Sequence, residues 1–350
     1  MLQATTTAAP RRFPSVDVLR GWAVALMLLV NYPGSWAHVY APLEHSEWNG
    51  FTPTDLVFPT FLYVVGVSIA LGLKPGTPLS KVWARALRLI AVGWLLYAVA
   101  MWGYGKEHFR IWGVLQRIGL CYGAAATLAL WLTPRRQWGV IAGLLLGYWA
   151  LLVAGGGYLP WDNLASRVDT WVAGVHNYQF DVATGKAHDP EGLLSTLPAL
   201  ATTLLGVRAG HWLRERGLAF LLRAGVALLA VGWAWAWLMP WNKNLWTSSY
   251  AVYAAGWSTV LLASYHALFD RCGAPPWGRS MGINAIAAYA GSWLLACLFE
   301  KFGVFGTAYA QAAAWLGDGK PASLAVATAF VALWWGLMWG MEKKGWRVTI

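Results

Sequence analysis

The chain has 350 residues, of which 58% are hydrophobic and only 12% charged, where an ordinary soluble domain carries roughly 25% charged residues. That balance excludes a soluble enzyme and predicts an all-α, polytopic membrane protein built as a helical bundle. The net charge of +11 finds its explanation in membrane topology and does not point to a nucleic-acid partner.

Apolar runs long enough to cross roughly 30 Å of hydrocarbon fall at about 19–37, 55–73, 84–102, 112–132, 137–155, 193–213, 218–239, 247–269, 280–299 and 323–341. Ten spanning helices are expected, and alanine-rich 308–316 is a candidate eleventh, short or re-entrant. No internal repeat or low-complexity tract interrupts them. The longest loop, 156–192, is too short to fold by itself, so residues 1–350 read as one transmembrane domain with a tail at 1–14. Basic residues precede the first apolar run, but no small-x-small cleavage site follows it, so this run reads as a retained helix.

Basic residues collect in short cytoplasmic loops, and their distribution sets the orientation. With both termini cytoplasmic, 18 of the 26 Lys and Arg lie at inner ends. The other eight are Lys106, Arg110, Arg117, Arg167, Lys186, Lys243, Lys301 and Lys320. The 156–192 loop and the Pro240–Leu245 loop then face outward, across the inner membrane of the cell. So does the polar hairpin between the first two helices, which holds His45, Asn49 and Asp55. Cys121 and Cys297 lie in predicted spans and Cys272 in a loop. They form no disulfide framework, and no His, Cys or carboxylate cluster has metal-ligand spacing.

Seven segments carry more information than hydropathy. They are SVDVLRGWAVALMLLVNYPG, EHSEWNG, TPTDLVFPTFLYVVG, GVLQRIGLCY, DPEGLLSTLPALATTLLGVRAG, NKNLWTSSY and GINAIAAY, in that order from Arg12 to about Tyr289. In sequence and order they resemble the transmembrane heparan-alpha-glucosaminide N-acetyltransferases and their bacterial NagX-type relatives. The resemblance implies an enzyme that moves the acetyl group of cytoplasmic acetyl-CoA to the amine of a glucosamine-type sugar on the far side of the membrane. It also implies an all-helical acyltransferase fold and a homodimer. This chain lacks the extra N-terminal domain of the lysosomal members, so a short amino sugar is the expected acceptor, with no metal required.

Acetyl transfer to an amine needs a base, a donor for the oxyanion and a site that excludes water. Imidazole titrates near neutrality. Read alone, a loop histidine such as His45 is a surface or headgroup residue; the resemblance reverses that reading and makes the histidine of H-x-x-W-N-G the catalytic base. Asp55 follows Thr52-Pro-Thr and is a helix cap that would also orient His45. Asn31, near the outer end of the first helix, bonds to a neighbouring helix or holds the thioester carbonyl, where the resemblance places it. Asn49 serves the Trp-Asn-Gly turn before substrate.

CoA brings a diphosphate and a ribose phosphate, and arginine forks suit such groups. Arg12, Lys81, Arg85 and Arg88, at the inner ends of the first and third helices, are the candidates, although topology alone would put some of them there. Arg117 is embedded in a span and is either an ion-pair partner or a cavity-lining group. On the outer face an indole beside polar groups suits an amino sugar, and Trp48, Asn49, Asn244 and Trp246 are the acceptor candidates. Asp189 and Glu191 read as caps of the sixth helix. Two rival functions stay open: O-acetylation of a polysaccharide in the same cavity, and secondary transport of amino sugars, against which the absence of a repeat counts.

Overall fold

The computed structural model describes residues 12–349, so most of the predicted 1–14 tail lies outside the described residues. The described chain is an all-α polytopic membrane protein. Its helices are α1 (Pro14–Asn31), α2 (Val57–Gly72), α3 (Leu79–Gly103), α4 (Val114–Trp131), α5 (Pro134–Ala154), α6 (Leu164–Ala173), α7 (Thr196–Glu215), α8 (Leu218–Trp235), α9 (Ser248–Tyr265), α10 (Arg279–Ile283), α11 (Ala285–Lys301), α12 (Val304–Leu316) and α13 (Lys320–Lys343). A 3-10 turn, Pro53–Leu56, leads into α2.

Every apolar run predicted from the sequence contains a helix, but α1 ends at Asn31, short of the expected 37, and 280–299 divides into α10 and α11. By length and hydropathy, however, seven helices among the described residues qualify as membrane spans, or up to eight if the bent α11–α12 pair is one span. Two of the helices that fall short, α7 and α9, sit inside the bundle. The first buries Leu204, Leu205, Val207 and Arg208 along with nine other residues, and the second is rich in buried Ser, Thr and Tyr. Helices wrapped by protein need not be as apolar as those facing lipid. In α8, by contrast, only Leu221, Gly225 and Gly232 are buried, and its hydropathy is correspondingly high. The expected short element at 308–316 is α12, bent 79° from α11.

Small residues let the central helices touch. A Cβ added at Gly66 of α2 would sit 1.9 Å from the Thr203 carbonyl oxygen of α7, and one at Gly206 would sit 2.0 Å from that of Tyr63. The two backbones are therefore in contact, the arrangement that membrane helices use where hydrophobic burial supplies no drive. Hydroxyls pin α2 to α9 as well: Thr60 Oγ1 lies 3.0 Å from Ser258 Oγ and Tyr63 Oη 2.6 Å from Thr259 Oγ1.

One end of the bundle gathers four connections: the hairpin 32–52, the α3–α4 loop, the segment 155–195 and the loop 236–247. The 155–195 segment is more ordered than a loop of its length suggests. It contains α6 and a two-stranded antiparallel hairpin, β1 (Gln179–Asp181) with β2 (Lys186–His188), in which Phe180 pairs with Ala187.

Candidate active site

The hairpin places His45 and Asp55 in contact. The imidazole Nδ1 is 2.6 Å from Asp55 Oδ1, with the His45 side chain 45% exposed and that of Asp55 0%. The other carboxylate oxygen, Oδ2, accepts the backbone N–H of Thr52 at 3.0 Å, that of Ser46 at 3.3 Å and the Thr52 hydroxyl at 3.1 Å. Tyr250 of α9 donates at 2.6 Å to the Asp55 carbonyl. Asp55 is thus a turn cap and an orienter at once, and its carboxylate is fully used. A carboxylate only accepts, so Nδ1 of His45 donates to it, and the neutral form of the ring has its lone pair on Nε2. That is the arrangement of an oriented general base.

A second loop holds the Trp-Asn-Gly turn in place. Asn242 donates Nδ2–H to Asn49 Oδ1 at 3.0 Å, Gly50 N–H bonds to the Trp241 carbonyl at 2.8 Å, and Asn244 Nδ2 reaches the Glu47 carbonyl at 3.4 Å. Gly50 has φ +126°, a value that a side chain would strain. Trp48 is half-buried and donates its indole N–H to the Tyr158 carbonyl at 2.7 Å. Asn49 and Asn244 therefore build the turn and remain open at the surface beside Trp48.

Trp246 does not face that surface. It is fully buried, packs edge-on against Phe58 and Tyr250, and donates its indole N–H to Thr202 at 3.2 Å. The buried Arg117 guanidinium lies 5.1 Å above its ring. Nη2 of Arg117 donates to the Gly192 carbonyl at 3.0 Å and to Ser195 Oγ at 2.5 Å, while Nε and Nη1 have no partner. Of the two roles expected for Arg117, ion pairing is not the one it has. It ties the start of α7 to α4 and to the Trp246 loop. Gln116 beside it is 3% exposed with both amide atoms unpaired, next to a small cavity shared with Gly93, Tyr97, Tyr289 and Trp293.

Asp189 and Glu191 are not helix caps, since α7 begins only at Thr196. They are buried partners of Arg110, which donates Nε–H to Asp189 Oδ2 at 2.9 Å and Nη2–H to Asp189 Oδ1 and Glu191 Oε2, both at 2.5 Å. Burial would raise the Glu191 carboxyl, but Arg110 and then Lys243 outweigh it and hold it down to about 2. Burial works against the Arg110 charge, and Asp189, Tyr97 and Glu191 together more than compensate. Nearby Asp169 has no such cation at contact distance. Burial first and Asp189 second push it up to about 7, against the backbone N–H of Leu193 at 3.0 Å.

Asn31 ends α1, is exposed, and its carboxamide makes no hydrogen bond among the described residues. At the opposite end of the bundle, Lys81, Arg85 and Arg88 recur along α3 at spacings of four and three, which puts them on one face. All three are exposed. Arg85 stacks 4.9 Å over Tyr122, and Arg88 bonds back to the Ala84 carbonyl. Arg12 pairs with Asp17 at 2.8 Å, so one of its faces is already occupied.

Residues 12–232 match the family model described as heparan-alpha-glucosaminide N-acetyltransferase, catalytic. That stretch contains His45, Asp55, Arg110, Arg117 and the Asp189–Gly192 turn. The human heparan-alpha-glucosaminide N-acetyltransferase is 31% identical over 335 residues, covering 75% of this chain and 50% of the human protein. The mouse protein of the same name is 29% identical over 336 residues, covering 76% of this chain and 50% of its own length. The chain spans about half the length of the curated relatives it matches.

Proposed function

Because this chain belongs to the heparan-alpha-glucosaminide N-acetyltransferase family, we propose that it is a transmembrane acetyltransferase that takes acetyl groups from cytoplasmic acetyl-CoA and delivers them to the amine of a glucosamine-type sugar at the outer, periplasmic face of the inner membrane. The observation that carries this reading is the His45–Asp55 pair, an open imidazole held through Nδ1 by a buried, fully bonded carboxylate. In the reaction the sugar nitrogen attacks the thioester carbonyl carbon while Nε2 of His45 takes a proton from that nitrogen. The Asn31 carboxamide, free of protein partners, donates to the developing oxyanion. The C–S bond then breaks, and the proton returns from His45 to the departing thiolate, leaving an amide and CoA.

The bundle end opposite the hairpin supports the donor half of the scheme. Lys81, Arg85 and Arg88 offer an exposed basic face for the CoA phosphates, and Arg12 lies at the same end of α1. Trp48, Asn49 and Asn244 form the acceptor side. Trp246 acts from beneath as the support of Arg117. The resemblance also carries a homodimer into this reading.

Purified protein given radiolabelled acetyl-CoA and glucosamine tests the proposal. N-acetylglucosamine should form, and His45→Ala should lower its rate about 10²–10⁴-fold while acetyl-CoA still binds. An O-acetyl product, or glucosamine uptake without acetylation, would overturn it.

A further inference from the structure

His188, the last residue of β2, has no part in the reaction described above. Its imidazole is 3% exposed and lies against the Trp48 indole at 5.1 Å between ring centroids, with Trp161 at 6.4 Å on another side. Nδ1 lies 3.0 Å from Ser166 Oγ. Asn163 holds the serine in place: its Nδ2–H donates to the same Ser166 oxygen at 2.9 Å, and its Oδ1 accepts the Ser166 backbone N–H at 2.8 Å. Among the described residues Nδ1 is the only acceptor that the Ser166 hydroxyl meets, since Asn163 Nδ2 is a donor, so the hydroxyl donates its proton to Nδ1. The ring proton therefore sits on Nε2. Burial, outweighing the attraction of Asp189 and Glu191, pushes the imidazolium down to about 4, so the ring is neutral at physiological pH.

Nε2 has no hydrogen-bond partner among the described residues although it is buried. A buried donor without a partner is costly, and here a three-residue relay holds it in that state beside an indole three residues from His45. Trp161, which helps cover the ring, has φ +65°, a conformation that bulky residues rarely adopt. Its cover is thus imposed by the surroundings.

The geometry points to a second acceptor subsite, in which the pyranose ring rests on Trp48 and Nε2–H of His188 donates to one of its hydroxyl oxygens when the Trp161 indole moves aside. A neutral N–H donor selects an uncharged oxygen and disfavours an ammonium group. The sugar amine is thereby directed away from His188 and toward His45. This rests on the amino-sugar reading of the preceding subsection and extends it to the orientation of the sugar. His188 is a binding residue here and takes no proton from the amine.

His188→Phe removes the donor while keeping an aromatic ring, and His188→Gln restores an N–H at a similar reach. The expected result for His188→Phe is a rise of about five- to tenfold in the Michaelis constant for glucosamine, with that for acetyl-CoA unchanged and kcat within about twofold; His188→Gln should recover most of the loss. A series of 3-, 4- and 6-deoxyglucosamines supplies the readout that a structural role would not move. One deoxy sugar should already be weak with the parent protein and lose nothing further with His188→Phe. Equal losses for every sugar, or a joint fall in kcat and acetyl-CoA affinity, would overturn the subsite. Calorimetric binding of glucosamine separates the two readings. Binding by the parent that weakens in His188→Phe, without acetylation by either, keeps the subsite and refutes the enzyme. Acetylation by both with the same Michaelis constant does the reverse.

Discussion

Asp55→Asn is the most informative single substitution, because the hydrogen bonds around Asp55 decide how the new carboxamide must sit. Oδ2 accepts two backbone N–H groups and a hydroxyl, whereas Oδ1 meets only His45. An asparagine keeps its oxygen where the backbone donors converge, since turning the amide round would leave two buried N–H groups facing a third donor. Its NH2 group then confronts His45 Nδ1 at the place where Oδ1 stood. That nitrogen must become an acceptor, and the ring proton moves to Nε2, the atom that has to accept the proton of the amine. The base is lost by its tautomer while the fold is kept. In serine proteases the same exchange lowers kcat about 10⁴-fold, and removing a general base costs about 10²–10⁴-fold in general. We expect a fall of kcat in that range, with the Michaelis constants of both substrates within about threefold of the parent. The assay is steady-state transfer from radiolabelled acetyl-CoA, with the melting temperature in detergent as the check on folding. A kcat within threefold of the parent in a folded variant would refute the assigned role of the pair.

Three further outcomes follow from the same structure. Neutralising Arg85 or Arg88 to Gln should weaken acetyl-CoA binding about tenfold or more and make what remains less salt-sensitive, as measured by calorimetry at two ionic strengths; unchanged affinity would remove α3 from the CoA site. In a background without Cys121, Cys272 and Cys297, single cysteines at Glu47 and Lys243 should react with an impermeant thiol reagent outside intact cells and one at Arg135 should not, and the reverse pattern would invert the orientation. Asp169, raised to about 7 by burial and then by Asp189, binds its proton more tightly folded than unfolded, so its contribution falls as pH rises from the ordinary carboxyl value through about 7. Melting temperatures should therefore decline over that window in the parent and decline less in Asp169→Asn; equal slopes would show that Asp169 is not the titrating group.

The sequence by itself determined the membrane class, the approximate position of most long helices, and that His45 and Asp55 share one hairpin. Each of these is a local matter. Hydrocarbon demands long apolar runs whatever the chain does elsewhere, and His45 and Asp55 stand ten residues apart across one turn, close enough for a motif to carry both. Tertiary structure decided which polar groups are partners and which aromatic rings are core. Arg110 meets Asp189 and Glu191 about eighty residues away, so the acidic pair reads along the chain as a helix cap. Trp246 lies in a polar outer loop by sequence, yet it is sealed beneath Arg117. His188, in a segment too short to fold alone, is buried only because α6 and Trp48 close over it. Hydropathy registers how a residue meets lipid or water. It carries no record of the protein neighbours that replace both, and α7 and α9, buried within the bundle, are not among the helices that qualify as membrane spans by length and hydropathy.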